Sequence, residues 1–153
     1  MSSDYIKLIA SNKKARHNYF IDDEYEAGIV LVGSEVKSIR EGRVSFKDAY
    51  ADIKRGEVFL RQLHISEYKF AYNANHETMR SRKLLLHRNE IDKLQGKIKE
   101  KGYSLIPLKI YFKNSKIKVR LGLGKGKKLY DKRETIKKKD IQRDMDRARK
   151  NYS

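Results

Sequence analysis

The chain has 153 residues, 37 Lys+Arg against 20 Asp+Glu and a net charge of +17, which is the length of one domain able to build a core without covalent staples. It contains no cysteine, excluding a disulfide framework, a cysteine zinc site and a thiol nucleophile. No apolar run approaches the roughly 20 residues of a membrane span and the N-terminus is not a secretory signal, so a soluble, cytoplasmic protein with a polyanionic partner is expected.

In chain order, Tyr19-Phe20-Ile21 is a short apolar run ending at an acidic turn, Asp22-Asp23-Glu24. Tyr25, Ala27, Ile29 and Leu31 then alternate as a strand does. Ser34 is the expected N-cap of a short helix that carries Val36 and Ile39 and stops at Gly42. Ala49, Ala51 and Ile53 alternate again, Arg55-Gly56 makes a tight turn, and Val58 to Ile65 returns. Residues 67–88 are polar, basic and aromatic, and too long for a hairpin loop. Asn89 with Asp92 resembles an N-cap and its return partner for a helix carrying Ile91, Leu94 and Ile98, which ends at Gly102. Leu105, Leu108, Ile110 and Phe112 form a strand in which Pro107 marks an edge or a bulge. After a turn at Lys113-Asn114-Ser115, Ile117, Val119 and Leu121 alternate strictly with Lys118 and Arg120.

The expected class is mainly β with flanking helices. About six antiparallel strands hide their edges best as a closed barrel of the oligonucleotide-binding type, spanning residues 1–122. Residues 123–153 read as a basic C-terminal tail. The stretch 125–153 holds 12 basic and 5 acidic side chains, and from Tyr130 to Ser153 only Ile136, Ile141, Met145 and Ala148 offer a core. Such a segment is expected to be disordered when free and to become helical on a surface that supplies anions.

Catalytic patterns are absent. Gly122 to Gly126 is one residue short of a phosphate loop, and Lys128 stands where Ser or Thr would coordinate magnesium, so a basic hinge is the simpler reading. His17, His64, His76 and His87 show no metal-ligand spacing. The acids from Asp22 to Glu26 leave a magnesium-dependent RNA-processing nuclease as an alternative, and a structural ribosomal protein as another. No catalytic residue, metal or cofactor is expected.

Three basic segments interleave with aromatic, amide or apolar groups. The first is Asn12, Lys13, Lys14, Arg16, His17 and Tyr19; the second is Arg80, Arg82 and Lys83 followed by Leu84-Leu85-Leu86; the third runs from Lys125 to Arg133. Cations hold phosphates, while aromatic and exposed apolar groups cover bases outside a duplex, a mixture suited to RNA with loops. In an extended Leu84-Leu85-Leu86 at least one side chain is expected to be exposed or to cover RNA. The basic segments lack a sustained apolar face with Trp or Phe anchors, so no membrane partner is expected.

The runs Asn12-Lys13-Lys14-Ala15-Arg16-His17, Tyr25-Glu26-Ala27-Gly28-Ile29-Val30-Leu31, Gly33-Ser34-Glu35-Val36-Lys37-Ser38-Ile39-Arg40, Arg82-Lys83-Leu84-Leu85-Leu86-His87 and Gly124-Lys125-Gly126-Lys127-Lys128 with Asp131-Lys132-Arg133 resemble the SmpB family, the small protein B of bacteria. The resemblance implies a monomer that binds the tRNA-like domain of transfer-messenger RNA and brings it to stalled ribosomes for trans-translation. It places Asn12, Lys13, Lys14, Arg16, Tyr19, Glu26, Arg82, Lys83, Leu85 and His87 on that RNA. It also implies that the tail enters the decoding centre and the vacant message channel of the small subunit, meeting its ribosomal RNA. Lys125, Lys127, Lys128, Tyr130, Asp131, Lys132, Arg133, Lys137, Lys138, Lys139 and Ile141 are the tail residues concerned. Ile141 and Ala148-Arg149 depart from the bulkier groups of some members.

Overall fold

The computed structural model describes residues 5–71, 75–100 and 102–127. Nine strands and three helices follow in the order β1 (Ile6–Ser11), α1 (Ala15–Asn18), β2 (Tyr19–Ile29), α2 (Gly33–Arg40), β3 (Val44–Ser45), β4 (Tyr50–Lys54), β5 (Glu57–Arg61), β6 (His64–Ile65), β7 (Arg82–Leu85), α3 (Arg88–Ile98), β8 (Tyr103–Lys113) and β9 (Lys116–Gly126). The chain is thus mainly β with helices at its margins, as expected.

The main sheet is antiparallel throughout and its connectivity is a ring. β8 bonds to β4, β4 to β5, β5 to β7, β7 to β2, β2 to β9, and β9 back to β8, while β1 adds to the outer side of β8. β3 and β6 form a separate small pair. The ring is joined by tight turns of predictable chemistry. Arg55 and Gly56 both take positive φ, 54° and 74°, between β4 and β5, as a two-residue hairpin turn requires. Asn114 at φ 58° turns β8 into β9.

Inward side chains from the ring make the core: Ala27, Val58, Leu60, Leu84, Leu105, Ile110, Val119 and Leu121 are buried, and Ile39 of α2 and Leu94 of α3 complete it. Burying a side chain such as Leu84 contributes about 1.5–3 kcal/mol. A second, smaller cluster of Ala15, Ile106 and Leu108, with Tyr19 and Ile21 packed on it, seats α1 against β8.

Several expectations shift. The acidic turn at Asp22-Asp23-Glu24 is instead part of a single strand, β2, which continues past it with a bulge between Ile21 and Asp23. The bulge absorbs the break in apolar alternation. The return strand from Val58 is cut at Gln62, whose φ is 60°, leaving β5 and β6. The long polar segment contains β7. The caps also move: Val32 caps α2, with its N–H donating to Glu35 Oε1 at 2.9 Å, and His87 caps α3, with its N–H donating to Glu90 at 3.1 Å. Ser34 and Asn89 lie inside the first turns. Pro107 does sit at a bulge, where the β8–β9 register slips before Lys109.

The glycines at 122, 124 and 126 belong to β9 rather than to a hinge. They permit close packing. A Cβ on Gly124 would lie 2.5 Å from the Phe20 carbonyl oxygen, and one on Gly122 would lie 3.0 Å from the Leu108 side chain. The expected tail residues Lys128, Tyr130, Asp131, Lys132, Arg133, Lys137, Lys138, Lys139 and Ile141 lie outside the described residues.

Candidate nucleic-acid interface

Two of the three basic segments meet at one end of the molecule. The turn after β1 is tied to the β8 bulge: the Asn12 N–H donates to the Leu108 carbonyl at 2.7 Å, and its side-chain amide donates to the Pro107 carbonyl at 2.9 Å. Asn12 therefore fixes the turn that displays Lys13, Lys14 and Arg16, all exposed. Arg16 pairs with Glu24 at 3.1 Å on the surface, a contact that contributes little in water. Its carbonyl accepts from Lys127 Nζ at 2.8 Å, which joins this turn to the end of β9. Lys127 also lies 4.9 Å from the Phe20 ring centre, and Lys125 lies 4.8 Å from that of Tyr103. Tyr19, half-buried at the start of β2, lines an open hollow of about 660 Å³ together with Asn12, Lys13 and Lys14. Cations and aromatic rings are thus interleaved here in space as well as in sequence.

Glu26, Lys83, Leu85 and His87 lie toward the other end of β2. Gly28 pairs with Leu85, nine residues or about 30 Å along the strand from Tyr19. A Cβ on Gly28 would stand 3.3 Å from that of Leu85, so the glycine leaves room for a side chain that is 52% exposed. Leu84 is fully buried and Leu86 packs on the core, so the run of three leucines does expose one. Lys83 points outward and pairs with Glu57 at 3.2 Å, and His87 is exposed at the head of α3.

Glu26 is part-buried and already held. The Tyr111 hydroxyl donates to Oε2 at 2.6 Å and Lys113 Nζ to Oε1 at 3.2 Å. Burial acts to raise its pKa, but those hydrogen bonds and the charges of Lys113 and Lys118 outweigh burial and hold the carboxyl below its usual range. The same burial and the bond to Glu26 push the Tyr111 phenol far above its usual range. Sequence reasoning overlooks Tyr111, Lys113 and Lys118 as neighbours of Glu26. The available signal was the alternation of Lys116, Lys118 and Arg120 on the outer face of β9.

Arg82 departs most from expectation. It is 0% exposed and lies inside the fold. Its Nε donates to Glu35 at 2.6 Å, and its other nitrogens donate to the carbonyls of Leu63, Glu77 and Thr78. The guanidinium therefore anchors the long loop to α2 and has no free edge for a phosphate. Because β7 alternates, a buried Leu84 requires a buried Arg82, leaving Lys83 and Leu85 outside.

The acids of β2 do not converge. Asp22 accepts from Tyr103 at 2.7 Å, Asp23 from Tyr25 at 3.0 Å, and Glu24 from Arg16. Among the described residues no group of three His, Asp or Glu side chains is placed to hold a metal ion, and no helix is long and apolar enough to cross a membrane.

The chain matches known proteins over most of its length. A family described as SmpB protein matches residues 9–151. The SsrA-binding protein of Bacillus subtilis (strain 168) is 60% identical over 142 residues, covering 93% of this chain and 91% of that protein. The SsrA-binding protein of Geobacillus thermodenitrificans (strain NG80-2) is 59% identical over 142 residues, with 93% and 92% covered. A chain in a solved structure described as "tmRNA-SmpB: a journey to the center of the bacterial ribosome" is 47% identical, with a TM-score of 0.65, covering 76% of this chain and 82% of that one. With its cation-and-aromatic surface and a family match over nearly its whole length, this chain belongs to the SmpB family.

Proposed function

We propose that this protein binds the tRNA-like domain of transfer-messenger RNA and delivers it to stalled ribosomes for trans-translation. The observation that carries the reading is membership of a family whose curated relatives are named SsrA-binding proteins, together with a likeness to a solved chain described as tmRNA-SmpB in connection with the bacterial ribosome. The surface supplies the chemistry. Lys13, Lys14, Arg16, Lys125 and Lys127 hold phosphates, and Tyr19 stacks on an unpaired base at the first end. At the second end Leu85 covers apolar base surface beside Lys83 and His87. Glu26, kept ionised by Tyr111 and Lys113, accepts from a base amine or a ribose hydroxyl. Asn12 and Arg82 act through the fold: the first sets the cationic turn, and the second anchors the loop beneath Lys83.

In this reading the ring of strands is a closed barrel of the oligonucleotide-binding type. The tail that becomes helical in the decoding centre and the empty message channel begins after β9, from Lys128 rather than from residue 123, with Tyr130, Asp131, Lys132 and Arg133 at its entrance. The protein is a cytoplasmic monomer that binds and positions RNA and performs no catalysis. The test is reconstituted tagging on ribosomes stalled without a stop codon. Full-length protein should bind the tRNA-like RNA, leave it intact in magnesium and support tagging. Cleavage of the RNA, or equal occupancy on all ribosomes, would point instead to a nuclease or a structural ribosomal protein.

A further inference from the structure

The loop between β6 and β7 carries aromatic groups that the interface above does not use. Phe70 is 60% exposed, and its ring meets Tyr68 edge to face with centres 5.6 Å apart. A single exposed phenylalanine on an unsupported loop would mean little, but this loop is pinned from several directions. The Asn75 side chain bonds both backbone groups of Tyr68, accepting from its N–H at 3.0 Å and donating to its carbonyl at 2.9 Å. The buried His76 ring bridges the Ser34 hydroxyl and the Ile65 carbonyl, each at 2.8 Å. Arg82 holds the Glu77 and Thr78 carbonyls from within. Three polar side chains, two of them buried, thus tie down Tyr68 and residues 75–78, and the Phe70 ring beside Tyr68 stands in solvent.

The surroundings are cationic. Lys37 of α2 lies 5.3 Å from the Tyr68 ring centre. Arg43, His64 and Lys69 line an open hollow of about 840 Å³ beside Tyr68. Among the described residues, none of Lys37, Arg43 and Lys69 forms an ion pair, and Glu67 is the one acid lining that hollow. An exposed ring on a fixed support, bordered by unneutralised cations, fits an unpaired base flanked by phosphates. It does not fit a duplex, whose bases have no free face.

We propose that Phe70 is a stacking platform for an unpaired RNA nucleotide, with Lys37, Arg43 and Lys69 holding the adjacent phosphates, as a contact separate from the one built on Tyr19 and Leu85. The inference rests on the RNA-binding reading above and extends it to a second surface. Because the chain has no tryptophan, Phe70→Trp places a unique fluorophore at the platform. Titrating full-length Phe70→Trp with single-stranded oligoadenylate should quench its emission saturably, and added salt should reverse the effect. Phe70→Ala should weaken binding of the same oligonucleotide by about tenfold without changing the melting temperature. An Arg43→Ala/Lys69→Ala double variant should weaken it and flatten its salt dependence. An oligonucleotide that fails to bind at low salt, that binds without altering the emission of the introduced tryptophan, or that binds Phe70→Ala as tightly as wild type overturns the proposal. Gel shifts of the tRNA-like RNA with Tyr19→Ala and Lys13→Ala/Lys14→Ala variants test the primary interface independently, so failure of one contact is distinguishable from failure of the other.

Discussion

Without the Glu35 carboxylate, the Arg82 guanidinium would stay charged in a site with no access to water. Glu35 is 0% exposed, bonded to both Arg80 and Arg82, and also accepts from the Val32 N–H. Glu35→Ala is expected to cost about 3–5 kcal/mol in urea unfolding, the usual cost of orphaning a buried charge. Burial raises the Glu35 pKa, but Arg80, the Val32 N–H and Arg82 together hold it below its ordinary value. A depressed carboxyl stabilises the fold above its unfolded pKa, and the contribution is lost as pH falls through the folded one. Acid titration of wild type should therefore show stability falling below about pH 4–5, with a shallower fall in Glu35→Ala. Lys83, one residue from Arg82, belongs to the other side of the strand. Lys83→Ala should leave the urea midpoint nearly unchanged while lowering the salt slope of RNA binding by about 1.

Neighbouring leucines on β7 separate fold from function at the level of the element. Leu84→Ala should cost about 2–5 kcal/mol of stability through the cavity it leaves. Leu85→Ala should leave stability nearly unchanged and weaken binding to the tRNA-like RNA by about 1–3 kcal/mol, read by gel shift. Strand β9 was legible because Ile117, Val119 and Leu121 alternate strictly with Lys118 and Arg120, and β8 because Leu108, Ile110 and Phe112 alternate after Pro107. Helices α2 and α3 were legible from the spacing of Ile91, Leu94 and Ile98 and from Gly42 and Gly102, whereas the four-residue α1 was not. Strand β7 was not, because four residues in a polar segment carry too little pattern. Ser34 and Asn89 look like caps, yet Ser34 is drawn into the His76 contact and the capping N–H groups turn to Glu35 and Glu90 three residues on. The glycines near the end of β9 mislead because glycine serves close approach as well as bending. Gly124→Ala should confirm this by lowering the melting temperature and weakening RNA binding together, since it would separate β9 from Phe20 beside Lys125 and Lys127.

The distribution of charge sets expectations for the whole molecule. Residues 1–127 hold 27 basic and 15 acidic side chains, and residues 128–153 hold 10 and 5. Residues 1–127 alone carry enough net positive charge to hold RNA phosphates, so a chain ending at Lys127 should retain a steep salt dependence in binding the tRNA-like RNA. In reconstituted tagging the same chain should be inactive, because the residues expected to probe the message channel are gone. The basic clusters were legible as patches in the sequence. Their arrangement was not, since only folding brings Arg16 to Lys127 across 111 positions and turns Arg82 inward.

The ring of strands has a consequence for biosynthesis. β9 is the last strand among the described residues, and it completes the ring by bonding to both β2 and β8. Until Gly126 has been translated, those two strands expose raw edges that can template mispairing. The long-range pairing with β2 must also await synthesis of the roughly one hundred residues that separate the two strands. A prematurely terminated copy lacking β9 would leave the ring of strands open and would be an aggregation-prone fragment, so the protein's own production depends on messages being read at least through Gly126.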